Sequence, residues 1–355
     1  MIRTSRFVSV LAAAAGAALL AYLLRRVGVS TVVQAIRLVG AGFLILVMLS
    51  GIRHLLRAVA WRCCVDPGAP SQRLVDLFTL RLIGESITDL SPAGPILGET
   101  VKAWGVSKNI PARFGVASVL IEDLIYSLGT GLFVIAGFLI LLASMARKYH
   151  FVKPSGVMVL LVSATIIFAI AGKQRHLFER ILQRIRNTPR GQSLIARYGQ
   201  AVQSLGTQLR DFFRTRRKLL LAVVSIEVVV NLISFAETYL ILHGVSAHAS
   251  LLNAYLVESA NRGAQLVASF VPFGLGVDEG TTTAVLHSLG RTLSEGFSVA
   301  TIRKIRSLFW DFVGLGLAAH FMIARRVETK GPSLELDQTA ELPPNLEIAA
   351  VERIS

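Results

Sequence analysis

Apolar runs that recur along a chain constrain its fold more than any motif, because roughly 20 consecutive apolar residues are what a helix needs to cross the hydrocarbon core of a bilayer. Such runs stand here at Phe7–Leu24, Leu38–Ile52 (continuing toward Ala60), Val116–Ala143, Gly156–Ala171, Leu219–Leu242 and Val299–Ala324, so six full crossings are expected. They account for a composition that is 53% hydrophobic and 17% charged, with a mean hydropathy of +0.60. A soluble domain carries about 25% charged residues, so this mix excludes an ordinary soluble globular chain. The first run follows Arg3 and Arg6 and imitates a secretory signal, but its length and the absence of a polar cleavage region before Arg25 and Arg26 favour a retained helix. In the second run, Arg53, His54 and Arg57 are expected to snorkel toward the interface, with Trp61 as an aromatic anchor. The adjacent pair Cys63 and Cys64 reads as two free thiols, unable to form a disulfide framework or to ligate a metal alone.

The net charge of +15 is read as topology, since the basic residues cluster between apolar runs and no nucleic-acid module is visible. The stretch Lys173–Lys218 holds twelve Lys and Arg against Glu179 and Asp211, which places it in the cytoplasm. Within it Leu177, Phe178, Ile181, Leu182 and Ile185 recur at helical spacing among arginines, the pattern of an amphipathic helix on anionic lipid head groups. Counting crossings from this loop puts both termini in the cytoplasm, in a bacterial-type inner membrane, and leaves Arg25, Arg26 and Arg37 outside against the rule. Residues 327–355 turn acidic and contain Pro332, Pro343 and Pro344, so they are expected to be a disordered tail.

Two stretches, Leu74–Val106 and Leu251–Leu289, are moderately apolar yet broken by Pro, Gly and acids. Each has the length of two half-depth helices with a turn, and irregular backbone at membrane depth survives only inside protein or along a water-filled cavity, so both read as re-entrant hairpins. The alternative is an amphipathic surface segment with a loop. The two resemble each other. Pro92, Gly94 and Glu99 match Pro272, Gly274 and Glu279 in a shared P-x-G-x-x-x-x-E, with Glu85 and Gln265 before them and Gly115 and Gly296 after them. Cutting the chain near residue 150 gives halves 1–150 and 151–326, each with three crossings and one hairpin. An odd number of crossings forces the second copy to be inverted. The expected fold is therefore an all-α polytopic membrane protein, with about six full transmembrane helices plus two broken re-entrant helical hairpins arranged as an inverted repeat.

The pieces LIGESITDLSPAGPILGETVKAWGVSKN, GVASVLIEDLIYSLGTG and VPFGLGVDEGTTTAVLHSLG resemble the family of lysylphosphatidylglycerol synthase transmembrane regions, also called flippase-like, over about residues 7–325. The family's proline-glycine turns map onto Pro92, Gly94 and Glu99 in the first half and onto Pro272, Gly274, Gly276 and Glu279 in the second. Its acidic third helix maps onto Glu122 with Asp123. The second turn departs from the fuller Ser-Pro-Gly-Gly-type run common in the family and reads only Val-Pro-Phe-Gly. The resemblance implies lipid translocation. Aminoacyl transfer belongs to a separate soluble domain in such proteins, and no such domain is expected in the short tail after Arg326.

Ionisable groups at membrane depth are costly and mark function by default. Glu99, Glu279, Glu122, Arg262, Lys102 and Asp278 are the candidate substrate-binding residues, with Pro92, Gly94, Pro272, Gly274 and Gly276 as structural turns. Adjacent Glu122 and Asp123 point to different sides of a helix, so at most one lines a cavity. Glu99 and Glu279 are expected to approach a shared cavity, and Lys102, Arg113 or Arg262 to hold a phosphate. Each acid has a structural alternative, in which it pairs with Arg81, Lys102, Arg113, Arg262, Arg303 or Arg306, or caps its own hairpin. No catalytic, metal or cofactor motif is present, so no cofactor is expected. The reading that follows is a translocator of a lipid or lipid-linked precursor whose head group bears an amine or phosphate, or whose tail is isoprenoid. A membrane-embedded lipid head-group enzyme and a membrane scaffold acting through residues 173–218 are the alternatives.

Overall fold

The computed structural model describes residues 40–91, 94–148, 205–246, 249–268, 271 and 274–328, all of them in helices or the short connections between helices. The expected spans at Phe7–Leu24 and Gly156–Ala171, most of the basic loop, the tail beyond residue 328, and Pro92 and Pro272 lie outside the described residues. One compact unit covers Met1–Leu317, and in the second, Ala318–Ser355, the described part is helical through Glu328.

The helices are α1 (Gly42–Cys64), α2 (Leu74–Leu90), α3 (Gly94–Val106), α4 (Ala112–Lys148), α5 (205–215), α6 (Arg217–Val245), α7 (Leu251–Val267), α8 (Val277–Ser288) and α9 (Leu293–Glu328). Among the described residues three are long and apolar enough to cross a membrane: α1, α4 as far as Leu141, and α6. Each turns large apolar side chains outward: Leu44, Leu132 and Leu221 expose about two thirds of their surface, whereas the interior holds charged groups. That pattern inverts the soluble rule and suits a lipid surrounding. Where α9 was expected to span, the helix is present, but Lys304, Arg306 and Asp311 make one of its faces polar and that face is buried.

The three long helices pack on one another. The pair α2–α3 leans on them through α1 and α4, while the pair α7–α8 leans on α4 and α6 through α7. Apolar clusters mark two ends of the bundle. At one, Ala60, Cys64, Ile121, Ile125 and Val223 close around Phe212 of α5, beside Trp61, Leu77, Leu80, Val106, Ile110 and Val119. At the other, Leu46, Ile241, Leu242, Ala254, Val257, Leu286, Val299 and Ile302 gather. Leu46 and Ala60 are separated by roughly 21 Å of helix rise, so these are opposite ends. The open end of α2–α3 (Leu77, Val106) is at the first and that of α7–α8 (Ala254, Leu286) at the second. The two pairs therefore enter from opposite ends. Their tips converge, with Leu90 of α2 and Leu275 ahead of α8 both packed on Leu308 of α9.

Glycine sets the geometry of both tips. A Cβ on Gly98 would overlap Thr88 Oγ1 and come within 2.5 Å of the Gly84 carbonyl, so α2 and α3 can approach this closely only with glycine there. A Cβ on Gly94 would likewise overlap the Thr88 carbonyl. At the second tip Gly274 and Gly276 adopt φ of 56° and 79°, left-handed conformations that β-carbon-bearing residues rarely adopt.

A polar clasp ties the α1–α2 connection to the start of α6. Arg216 pairs with Asp66 at 2.5 Å, and the Gly68 N–H donates to the same carboxylate at 2.8 Å. Burial alone would raise the Asp66 pKa, but these two donors hold it below the usual carboxylate range. Because the folded carboxyl lies below its unfolded value of about 3.9, its contribution is complete above that pH and is lost as pH falls through the folded value. Asp66→Asn should therefore flatten the acid limb of a pH-dependent unfolding series in detergent, and at neutral pH should cost no more than about 1 kcal/mol, the scale of a partly exposed pair. An unchanged acid limb would remove Asp66 from the acid response.

Candidate functional site: a charged cavity between two hairpin tips

Where the tips converge, the bundle encloses a cavity of about 500 Å³. Among the described residues its wall carries seven Lys or Arg and seven Asp or Glu side chains. Helical spacing explains how α1 contributes: Leu46, Ser50, Arg57 and Ala60 lie on its buried side, while Leu44, Ile45, Met48, Ile52 and Leu55 face outward. Arg53 and His54 also line the cavity. The expectation that Arg53, His54 and Arg57 snorkel to the interface is thus corrected. The helix continues to Cys64, two turns and more beyond the apolar run, and carries these groups into the bundle.

The charges fall into linked groups. Arg57 and Arg81 clamp Glu122: Arg57 donates at 3.0 and 3.2 Å and Arg81 at 3.1 Å, and Arg81 also reaches Glu85 at 2.6 Å. Glu227 lies 3.7 Å from Arg57, whose guanidinium stacks 3.5 Å above the Tyr126 ring. On the opposite wall Glu258 accepts from Arg262 at 2.9 Å, Arg303 at 2.6 Å and Thr238 at 2.8 Å, and Arg262 also donates to Asn231 at 2.6 Å. Glu237 pairs with Arg306. Near the tips, Lys102 pairs with Glu99 at 2.5 Å, and Lys304 and Gln265 hold Asp278 at 2.9 and 3.0 Å.

Of the candidate residues, Glu99, Lys102, Arg262 and Asp278 line the cavity. One Glu99 oxygen meets Lys102, and the other is buried without a hydrogen-bond partner among the described residues. Glu122 is 1% exposed and committed to its two arginines, so it braces the wall. Its neighbour Asp123 is the one that lines the cavity, and it has no hydrogen bond or ion pair among the described residues. Glu279 engages its own helix: its carboxylate accepts from the Gly276 N–H at 2.8 Å and lies 3.9 Å from Lys304. Arg113 is exposed over the Phe114 ring at the start of α4 and is not part of the cavity wall. Sequence reasoning assigned Arg57 to the interface rather than to the cavity and did not single out Lys304. Their signal was spacing, since Arg53 and Arg57 stand i, i+4 on one face of α1, and Arg303 with Lys304 fall one turn before Ser307 on α9.

An apolar exterior around buried ion pairs, with two helical pairs entering from opposite ends to meet at a polar cavity, defines a multi-pass helical membrane protein. The chain belongs to the family described as Lysylphosphatidylglycerol synthase TM region, whose sequence profile matches residues 8–314. Membership associates it with lipid-related membrane function. Nothing among curated proteins or solved structures matches the chain.

Proposed function

We propose that this protein translocates the polar head group of a lipid or lipid-linked precursor between leaflets, acting as a transporter rather than an enzyme. The observation that carries this reading is the cavity of about 500 Å³ at the meeting point of two hairpins that enter from opposite ends. Ligand sites commonly span about 300–1,000 Å³, so a head group fits while acyl or isoprenoid tails stay in the bilayer beside the apolar outer faces. Both signs of charge line the wall. Lys102 and Arg262 suit a phosphate, and Asp123 and the unpartnered Glu99 oxygen suit an ammonium. The opposed hairpins support reading the halves as an inverted repeat of six crossings, the plan by which secondary transporters alternate access. The Asp66–Arg216 pair sets the α1–α2 connection beside the end of the basic loop, which supports one cytoplasmic face of an inner membrane, with that loop on anionic lipid.

The test uses the purified full-length protein in vesicles holding tail-labelled phosphatidylethanolamine, phosphatidylglycerol or an isoprenyl-diphosphate-linked sugar. Dithionite added outside should bleach more than the outer-leaflet fraction of at least one probe. Bleaching confined to that fraction for every probe would overturn translocation.

A further inference from the structure

The stripes that α1 and α9 turn toward the cavity meet each other. On α1, Arg53 and His54 follow Ser50 by one turn; on α9, Arg306 and Trp310 follow Arg303 by one and two turns, and all of them line the cavity. The approach is close, since a Cβ on Gly51 would come within 2.7 Å of the Trp310 ring, whose centroid lies 5.4 Å from that of His54. Helix α6 supplies the counter-charge behind them. Arg306 pairs with Glu237, and Arg53 lies 3.9 Å from the same carboxylate oxygen. Arg303 and Arg262 share Glu258 at 2.6 and 2.9 Å. Four guanidiniums therefore share two carboxylates, so this part of the wall holds two positive charges more than it neutralises. Glu237 is 0% exposed and is not a wall residue, which leaves Arg53 and Arg306 between it and the cavity. The hydrogen bonds of Arg53 go to neutral hydroxyls, Ser234 at 2.9 Å and Ser50 at 3.2 Å. On the neighbouring stripe of α9, Lys304 meets Asp278 of α8 at 2.9 Å, and Asp311 shares the side of Gly314, which presses on Leu82 of α2.

Two buried donors of this wall have no acceptor among the described residues: Nε of Arg306, a residue only 7% exposed, and Nε1 of Trp310. They stand one turn apart on one face of α9. A buried donor without an acceptor is costly, and so is uncompensated buried charge. An anion with several acceptor oxygens relieves both, and a phosphate fits the planar fork of an arginine.

We propose that Arg53, Arg306 and Trp310 form a phosphate-binding subsite in the cavity wall, and that a phosphate ester on the head group is the part of the cargo held there. The second half rests on the translocation reading above; the subsite itself does not. It places the phosphate more narrowly than Lys102 and Arg262, which spend donors on Glu99, Glu258 and Asn231. In the bound state the oxygens accept from Arg306 Nε, Trp310 Nε1 and the Arg53 guanidinium, while Glu237 stays behind the two arginines and keeps their forks in place.

Calorimetric titration of the full-length protein, in sugar-headed detergent and phosphate-free buffer, tests this with three probes: dihexanoyl phosphatidic acid, dihexanoylglycerol as its neutral counterpart, and inorganic phosphate. Phosphatidic acid should bind and dihexanoylglycerol should not. Arg53→Gln and Trp310→Phe should each raise the Kd for phosphatidic acid about tenfold or more, the scale of one lost hydrogen bond to a charged group. Both variants leave Arg306 on Glu237, and an unchanged unfolding midpoint confirms that they fold. Equal binding of the phosphatidic acid and its neutral counterpart, or an unchanged Kd in both folded variants, would overturn the subsite. Binding of inorganic phosphate alone, weakened in the variants, would keep the subsite but overturn its assignment to a lipid head group. Variant-sensitive binding of phosphatidic acid in a protein that moves no probe in vesicles would uphold the subsite and overturn the translocation reading.

Discussion

Arg57→Met is expected to lower the stability of the purified protein by about 3–5 kcal/mol, read as a lower thermal unfolding midpoint in detergent and reduced accumulation in the membrane. Arg57 is 9% exposed and reaches Glu122, Glu85 and Glu227 from one guanidinium. Methionine fills a similar volume, so the loss isolates the charge and its fork of donors. Arg81 would still hold Glu85 and Glu122, but Glu227, whose carboxylate already lacks a hydrogen bond among the described residues, would lose its nearest cation. Removing one partner of a buried pair is costly because the other charge stays buried and uncompensated. Arg57→Lys should fall in between, since an ammonium keeps the charge without donating to Glu122 through two nitrogens and without the stack on Tyr126. Combining Arg57→Met with Glu122→Gln should recover part of the loss, since it also removes the charge that Arg57 neutralised. Wild-type stability in Arg57→Met would mean that the acids, not the arginine, organise this wall.

The parts of this architecture legible in the sequence were those written in length and periodicity. The runs that became α1, α4 and α6 were visible because bilayer thickness sets a length that few soluble helices need, and the two interrupted segments were visible because Pro and Gly stop helices. Pairings across elements were harder to see. Glu258 and Arg262, spaced i, i+4, could be read as neighbours on one helix, whereas the contacts of Glu258 with Arg303 and of Glu122 with Arg57 and Arg81 join residues from distant parts of the chain. Arg57 misled because a basic residue just past an apolar run looks the same whether it snorkels out or turns in. Only the face it shares with Ser50 and Leu46 decides between these, and that face is read from three-dimensional packing. The paired glutamates show the same limit. A shared motif aligns Glu99 with Glu279 in one dimension, but successive helical residues point about 100° apart, and where α8 begins decides which acid meets the cavity. Here that acid is Asp278.

This asymmetry separates the two glutamates experimentally. Glu99→Gln should insert and accumulate like the wild type, yet slow movement of the responsive lipid probe by about 10- to 100-fold, the scale of a lost charge-assisted hydrogen bond of about 1.5–3 kcal/mol. Gln retains the volume but cannot pair as an anion with Lys102, and it presents a neutral group where a buried, unpartnered carboxylate oxygen stood. Glu279→Gln should move the probe within about twofold of wild type, because the amide oxygen can still accept from the Gly276 N–H and a preserved cap leaves the helix start intact. Glu279→Ala removes that acceptor and should cost about 1 kcal/mol of stability. Comparing unfolding midpoints with probe rates for the three variants distinguishes bracing from transport. Equal loss of transport in both Gln variants would restore a symmetric role for the two acids, and full transport by Glu99→Gln would place its carboxylate outside the translocation path.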